Sequence, residues 1–188
     1  MPENIGTVAE LARAWKLTRR LARAASYGPA LAVCFDCTVE VSGRAKTVAG
    51  TAFTRDRRIV LNGALLREGR EDDRDSTLLH ECAHVIANLH RRRDCGHGEA
   101  WRHVMDAIGE PPERCHNIAY LSAKRHATVT WVCQGCGVEY HFVRRPRRKL
   151  ENCWCSRCGP GEGRLAVKRV ARGRGGVAST AKRRRLGG

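Results

Sequence analysis

The segment His80-Glu81-Cys82-Ala83-His84 constrains this chain most, because it fits H-E-x-x-H and lies in a stretch with helical periodicity. The apolar residues around it recur every three or four positions, at Leu79, Cys82, Ala83, Ile86 and Leu89. A helix capped by Asp75 or Ser76 and running through His90 is therefore predicted. Both imidazoles would project from one face of that helix, one turn apart, with Glu81 alongside them.

Two imidazoles in this arrangement are ligands that zinc prefers, and a catalytic zinc site has three protein ligands and one open position. Water bound at the open position becomes acidic enough to lose a proton near neutral pH. Glu81 is the predicted general base that accepts this proton as the water attacks a carbonyl carbon. The motif therefore predicts hydrolysis by a zinc enzyme.

Three residues are candidates for the third ligand, and each indicates a different class of enzyme. His90 has the metzincin spacing, but that pattern requires glycine where this chain has Ala87. Glu99 would suit a thermolysin-like site, although it lies very close to the histidine pair in sequence. We favour His97, because glycines on both sides allow its imidazole to turn back toward the metal.

A second metal site is predicted from cysteine spacing. Cys133 and Cys136 form one C-x-x-C pair, and Cys155 and Cys158 form another after 18 intervening residues, which is typical of a zinc ribbon. A module of about 30 residues cannot bury an adequate core, so a structural zinc would hold it folded. The remaining cysteines include Cys34, Cys37 and Cys153, which are expected to be buried or idle thiols.

Charge is concentrated in the last third of the chain. Of the net charge of +16, residues 131–188 carry +12. The cations group between the cysteine pairs and near the C-terminus, at Arg144, Arg145, Arg147, Arg148 and Lys149 and at Lys182, Arg183, Arg184 and Arg185. Such clusters predict a polyanionic partner, most often nucleic acid. DNA is expected here, bound without sequence specificity and with single strands as one candidate, although the charge does not distinguish DNA from RNA. A solvated basic surface that only aids solubility is the alternative.

The other segments predict an α+β fold. Residues 3–26 have the period of one amphipathic helix, and residues 32–62 read as three or four antiparallel strands. A further helix is expected over residues 99–108, ended by Gly109. From Gly161 the chain is rich in Gly, Arg and Ala, and a disordered tail is predicted. No signal-peptide core or membrane-spanning run is present, so a cytoplasmic, nucleoid-associated protein of a bacterium or phage is expected.

Several motifs in one order resemble the SprT and Spartan metallopeptidases. Gly96-His97-Gly98-Glu99-Ala100-Trp101 is similar to the segment that follows H-E-x-x-H in that family. The upstream segments 49–52 and 59–62 and the downstream segment 112–116 also resemble family segments. The resemblance covers roughly residues 5–160 and implies a minimal zincin-like domain, with a ribbon after it. The domains expected are therefore the metallopeptidase domain over residues 1–128, the ribbon over 129–160 and, from composition, the disordered basic tail over 161–188.

The resemblance also implies an activity and two metals. The expected function is a zinc endopeptidase that cuts DNA-associated proteins, with one catalytic zinc at His80, His84 and His97 and one structural zinc at the four cysteines. The alternative is a zinc-containing nucleic-acid-binding protein without catalytic activity. An intact Glu81 favours the enzyme, because a purely structural site needs no carboxylate at that position.

Overall fold

The computed structural model describes residues 2–113 and 118–170. The chain divides into two compact units, Met1–Ser122 and Ala123–Gly188, each with its own sheet. Both helices and strands are present, so the prediction of an α+β protein is confirmed. No helix in these described ranges is long and apolar enough to cross a membrane.

The first sheet has four strands in the order β1-β2-β4-β3. Their bounds are β1 Glu3–Thr7, β2 Thr38–Ser42, β3 Gly50–Phe53 and β4 Arg58–Asn62. β2 and β4 are parallel, whereas the other pairs are antiparallel, so the predicted small antiparallel sheet is in fact mixed. The reason is topological: β3 and β4 form a hairpin through the 3-10 turn Thr54–Asp56, and β4 then pairs with β2 on its other side.

The N-terminal segment is not the single helix predicted over residues 3–26. Strand β1 is followed by α1 Val8–Ala14, α2 Thr18–Ala22 and the 3-10 turn Ala25–Tyr27. Thr7 stops the helix at its N-terminal side, because its hydroxyl accepts the Glu10 N–H while the Glu10 carboxylate accepts the Thr7 N–H. The next helix, α3 Gly28–Phe35, covers residues that were expected to start the strand region.

The H-E-x-x-H motif lies on α4 Glu71–Arg91, the first of two long helices in this unit. The 3-10 turn Gly63–Leu66 leads to α4, which starts four residues before the predicted cap at Asp75. Helix α4 contacts α3, α5 and β3. These neighbours bury its apolar residues Leu78, Leu79, Cys82, Ala83, Val85 and Ile86 completely. α5 spans Glu99–Ile108 and ends at Gly109 with φ 76°, as predicted.

The second unit contains a three-stranded antiparallel sheet in the order β6-β5-β7. Its bounds are β5 Val129–Cys133, β6 Glu139–Phe142 and β7 Leu165–Val170, with short helices α6 Ala123–His126 and α7 Gly159–Glu162. The unit also has the 3-10 turn Leu150–Asn152, and the first unit has another at Ala119–Leu121. Residues 165–170 therefore do not belong to a disordered tail, because pairing with β5 satisfies their backbone groups.

Candidate metal centres

Three histidine side chains converge in the first unit. His80 and His84 project from α4, and His97 lies in the loop between α4 and α5. Their Nε2 atoms are 3.1 Å apart for His80 and His97, 3.2 Å for His84 and His80, and 3.3 Å for His84 and His97. Zinc–nitrogen bonds of about 2.0–2.1 Å in a tetrahedron place ligand nitrogens about 3.3 Å apart. The three histidines therefore fit a zinc ion, and they are the residues that can hold one.

The loop that carries His97 is fixed by Asn88, one turn beyond His84 on α4. The Asn88 Oδ1 atom accepts the Cys95 N–H at 2.8 Å, and its Nδ2 atom donates to the Thr54 hydroxyl at 3.1 Å. The His84 ring donates a hydrogen bond to the backbone of Gly96. One amide side chain thus ties the loop to α4 and to the β3–β4 turn, and the loop in turn positions His97, a candidate ligand.

Trp101 forms one wall of the histidine cluster. Its side chain is fully buried, and its ring centroid lies 4.7–5.4 Å from those of all three histidines. The indole Nε1 also donates to the His80 carbonyl at 3.5 Å. In the sequence Trp101 ends the segment Gly96-His97-Gly98-Glu99-Ala100-Trp101, and no contact with the histidines was predicted for it. Its position four residues after His97 was the signal in the sequence for this role.

Burial sets the protonation of the groups on α4. The Glu81 side chain is buried, which raises the pKa of its carboxyl to about 7, and a hydrogen bond from the backbone of Ala52 opposes this shift. Burial, followed by the nearby His97, lowers the pKa of His84 to about 4. His84 is therefore neutral at pH 7, and its ring can offer a lone pair to a metal.

The rival third ligands lie away from this cluster. His90 is exposed and packs edge-on against Tyr27, with ring centroids 5.1 Å apart. Glu99 has a side chain that is 86% exposed, and its Oε1 lies 3.9 Å from Nε2 of His103. Of the three candidates, His97 alone joins His80 and His84 in a group that can hold a metal in the described part of the chain.

The two cysteine pairs meet in the second unit. The sulfur atoms of Cys133 and Cys158 are 3.9 Å apart, and those of Cys136 and Cys155 are 3.7 Å apart. Tetrahedral zinc with zinc–sulfur bonds of about 2.3 Å places ligand sulfurs about 3.8 Å apart, so this set also fits the ion. The Tyr140 hydroxyl donates to Cys155 at 3.1 Å and lowers the pKa of that thiol to about 6, which favours the thiolate that zinc binds.

The other cysteines that the sequence singled out lie outside both clusters. Cys34 is buried on α3, where its thiol faces the Cys82 carbonyl at 3.9 Å. Cys37 donates to the Val33 carbonyl at 3.4 Å, and Cys153 is half-buried in the second unit.

Five of the nine basic residues predicted to bind nucleic acid lie in the described part of the chain, and all five are exposed. Arg144, Arg145, Arg147, Arg148 and Lys149 lie in the segment between β6 and the 3-10 turn Leu150–Asn152. Trp154, five residues beyond Lys149, is 55% exposed, and sequence reasoning did not select it. Lys182, Arg183, Arg184 and Arg185 lie outside the described residues, as do residues 114–116 of the downstream family segment.

Comparison with known proteins identifies similar sequences. The model of the SprT-like family matches residues 20–128. Protein SprT of Pseudomonas aeruginosa is 36% identical over 118 residues, covering 58% of this chain and 70% of that protein. Protein SprT of Erwinia tasmaniensis is 35% identical over 124 residues, covering 62% and 72%. Protein SprT of Klebsiella pneumoniae is 33% identical over 117 residues, covering 60% and 69%. No solved structure matches this chain.

Proposed function

This chain belongs to the SprT-like family, and on that premise we propose that it is a zinc-dependent endopeptidase with a minimal zincin-like domain. The observation that carries the proposal is the convergence of His80, His84 and His97, with the buried Glu81 next to His80 on the same helix. A purely structural zinc site needs no carboxylate at that position. The combination therefore favours hydrolysis over metal storage or structural support.

The protein's own residues have separate roles in this reaction. His80, His84 and His97 would hold the ion, which supplies a Lewis acid that polarises a carbonyl and acidifies water. Glu81 would accept a proton at its carboxylate from the attacking water and later pass it to the leaving amine. Trp101 excludes water from one side of the histidines and restricts their rotation.

We further propose that the substrates are proteins associated with DNA. The exposed basic segment from Arg144 to Lys149 supports this, because clustered arginines bind phosphates and release their counterions. The exposed indole of Trp154 would add a face on which unpaired bases can stack. Binding of this kind would bring the enzyme to the nucleoid without requiring a particular sequence.

The decisive experiment compares the wild type with Glu81→Gln and with Glu99→Gln, its matched control on an exposed glutamate. Zinc content and cleavage of casein and histones are measured with and without single-stranded DNA. We expect two zinc ions per chain in all three proteins and cleavage that is stimulated by DNA. Glu81→Gln should lower the cleavage rate by about 10²–10⁴-fold, the usual contribution of a general base, whereas Glu99→Gln should not.

Two other outcomes would change the assignment. Zinc at both sites and intact DNA binding, without cleavage that depends on Glu81, would favour the alternative, a non-catalytic zinc protein that binds nucleic acid. Cleavage that depends on Glu81 but is unaffected by DNA would support the peptidase assignment and contradict the proposal that its substrates are associated with DNA.

A further inference from the structure

Strand β3 runs past Glu81, and its first residue, Gly50, has no room for a side chain. A Cβ atom placed on Gly50 would lie 2.7 Å from Cγ and 2.9 Å from Oε1 of Glu81, and 2.8 Å from Cγ2 of Thr77. Close-packed interiors do not tolerate such contacts, so a larger residue would displace one of these side chains. Gly50 does not have a positive φ, so space rather than backbone conformation requires glycine here.

Thr77 cannot easily yield to such a contact. Its hydroxyl donates to the Asp73 carbonyl at 2.6 Å, one turn earlier on α4, and this bond fixes the rotamer that directs the methyl group toward Gly50. Thr77 is also fully buried. The Glu81 side chain is therefore the group that would move if residue 50 were larger.

The register of β3 presents a hydrogen-bond donor to the same carboxylate. The Asn62 N–H donates to the Ala49 carbonyl at 2.7 Å, and Thr51 lies opposite Val60. Hydrogen-bonded pairs alternate along an antiparallel ladder, so Ala52 directs its N–H away from β4. In the described residues β3 forms an edge of the sheet, and this N–H donates to Glu81.

We propose that Gly50 and Ala52 position the general base. Gly50 has no side chain, so the Glu81 side chain can lie directly against β3, and the Ala52 N–H donates a hydrogen bond to the Glu81 carboxylate. Both are positioning residues, because neither is placed on substrate or metal. The proposal rests on the role of Glu81 given above, but the packing that it describes can be tested without any activity.

The first test compares Gly50→Ala with Gly43→Ala, a control because a Cβ at Gly43 would meet no atom within 4 Å. Gly50→Ala should lower kcat for casein cleavage by about 100-fold, the usual effect of misplacing a reacting group by about 1 Å. KM should change less than about twofold, and zinc content should stay the same, because no histidine is touched. Wild-type kcat in Gly50→Ala would overturn the proposal.

The second test measures coupling in unfolding, and it remains informative if the protein cleaves nothing. The urea midpoint is recorded with and without Gly50→Ala in two backgrounds, Thr77→Ser and Thr77→Ser/Glu81→Ala. Serine keeps the hydroxyl of residue 77 and removes the methyl group, so of the three atoms nearest the new Cβ only the two of Glu81 remain. Gly50→Ala should lower the midpoint in the first background and leave it nearly unchanged in the second.

The two tests separate the possible failures. Equal shifts of the urea midpoint in both backgrounds would contradict the proposed packing of Gly50 against Glu81, whatever the activity. A shift that depends on Glu81, without any cleavage by the wild type, would support that packing and contradict the peptidase assignment. If Gly50→Ala does not fold in the Thr77→Ser background, recovery of a folded protein in Thr77→Ser/Glu81→Ala is the supporting result, and failure in both backgrounds contradicts the proposal.

Discussion

The three histidines of the first unit are attached to an extensive apolar core, whereas two of the four clustered cysteines of the second unit form part of its small core. Helix α4 buries a continuous set of apolar residues against α3, α5 and β3. In the described part of the second unit, the buried apolar residues are Val129, Trp131, Cys133 and Cys155, and two of these are candidate ligands. We therefore expect the first unit to fold without a metal and the second unit to require one.

Metal removal tests this comparison most directly and should give the largest effect. A chelator should unfold the second unit, since structural zinc contributes about 10–16 kcal/mol in comparable peptides, and leave the first unit folded. Hydrogen exchange of the β5–β7 amides and of the α4 amides would measure the two units separately. Cys136→Ser should reproduce the selective loss, and Cys153→Ser is the control. Equal loss of protection in α4 would contradict the comparison.

Removing the wall of the histidine site should have the next largest effect. Trp101→Ala should lower the free energy of unfolding by about 3–5 kcal/mol, because it leaves a cavity among buried groups. It should also weaken zinc binding by the histidines, which lose their packing partner. Trp15→Ala is the control for a lost indole in the same unit. Denaturant titration and zinc competition would check both changes; unchanged zinc affinity in Trp101→Ala would limit this residue to a core role.

Removing the Asn88 hydrogen bonds that hold the His97 loop should change stability and zinc affinity less. Asn88→Ala leaves the Cys95 N–H without its acceptor, which should cost about 1–3 kcal/mol, and it should lower zinc affinity at the histidines. Asn88→Asp keeps the acceptor and loses only the donor to Thr54, so it should retain most of that affinity. A zinc titration of both variants separates the contribution of the Asn88 acceptor from that of its donor. Wild-type zinc affinity in both variants would show that the loop is ordered without Asn88.

The smallest effect is expected from removing the Tyr140 hydroxyl, which donates to Cys155 in the second unit. Tyr140→Phe removes the donor that lowers the pKa of Cys155, so protons should compete better with zinc for that sulfur. The pH at which half of the ribbon zinc is released should therefore rise in the variant. A chromophoric chelator followed during acid titration measures this pH. Tyr120→Phe is the control, because its hydroxyl bonds to Asp73 in the first unit. A shift to lower pH would contradict the assigned role.

The sequence could indicate the two groups of candidate metal ligands because the spacing within each pair is local. His80 and His84 are one helical turn apart, and each cysteine pair is a short loop, so neighbouring residues determine which side chains can meet. The choice of His97 over His90 and Glu99 also followed from local features, the glycines on either side. The second helix and its end at Gly109 were predictable for the same reason.

Other features depended on partners distant in the chain. Residues 3–26 have helical periodicity, but pairing with β2 makes the first five of them a strand. Strand β4 pairs in parallel with β2, which no local pattern distinguishes from an antiparallel hairpin. Residues 165–170 look like the start of a disordered tail until β5 supplies their hydrogen bonds.

The sequence by itself therefore determined the chemistry available to this protein: three imidazoles, four thiols, one glutamate at H-E-x-x-H and a basic C-terminal third. Only the tertiary structure decided how those groups are supported. Three contacts join residues from different elements: Trp101 packs on the histidines, Asn88 accepts a hydrogen bond from Cys95, and Gly50 lies directly beside Glu81. Spacing along the chain specifies which groups can share a helical face, whereas contacts between elements exist only after the core has brought them together.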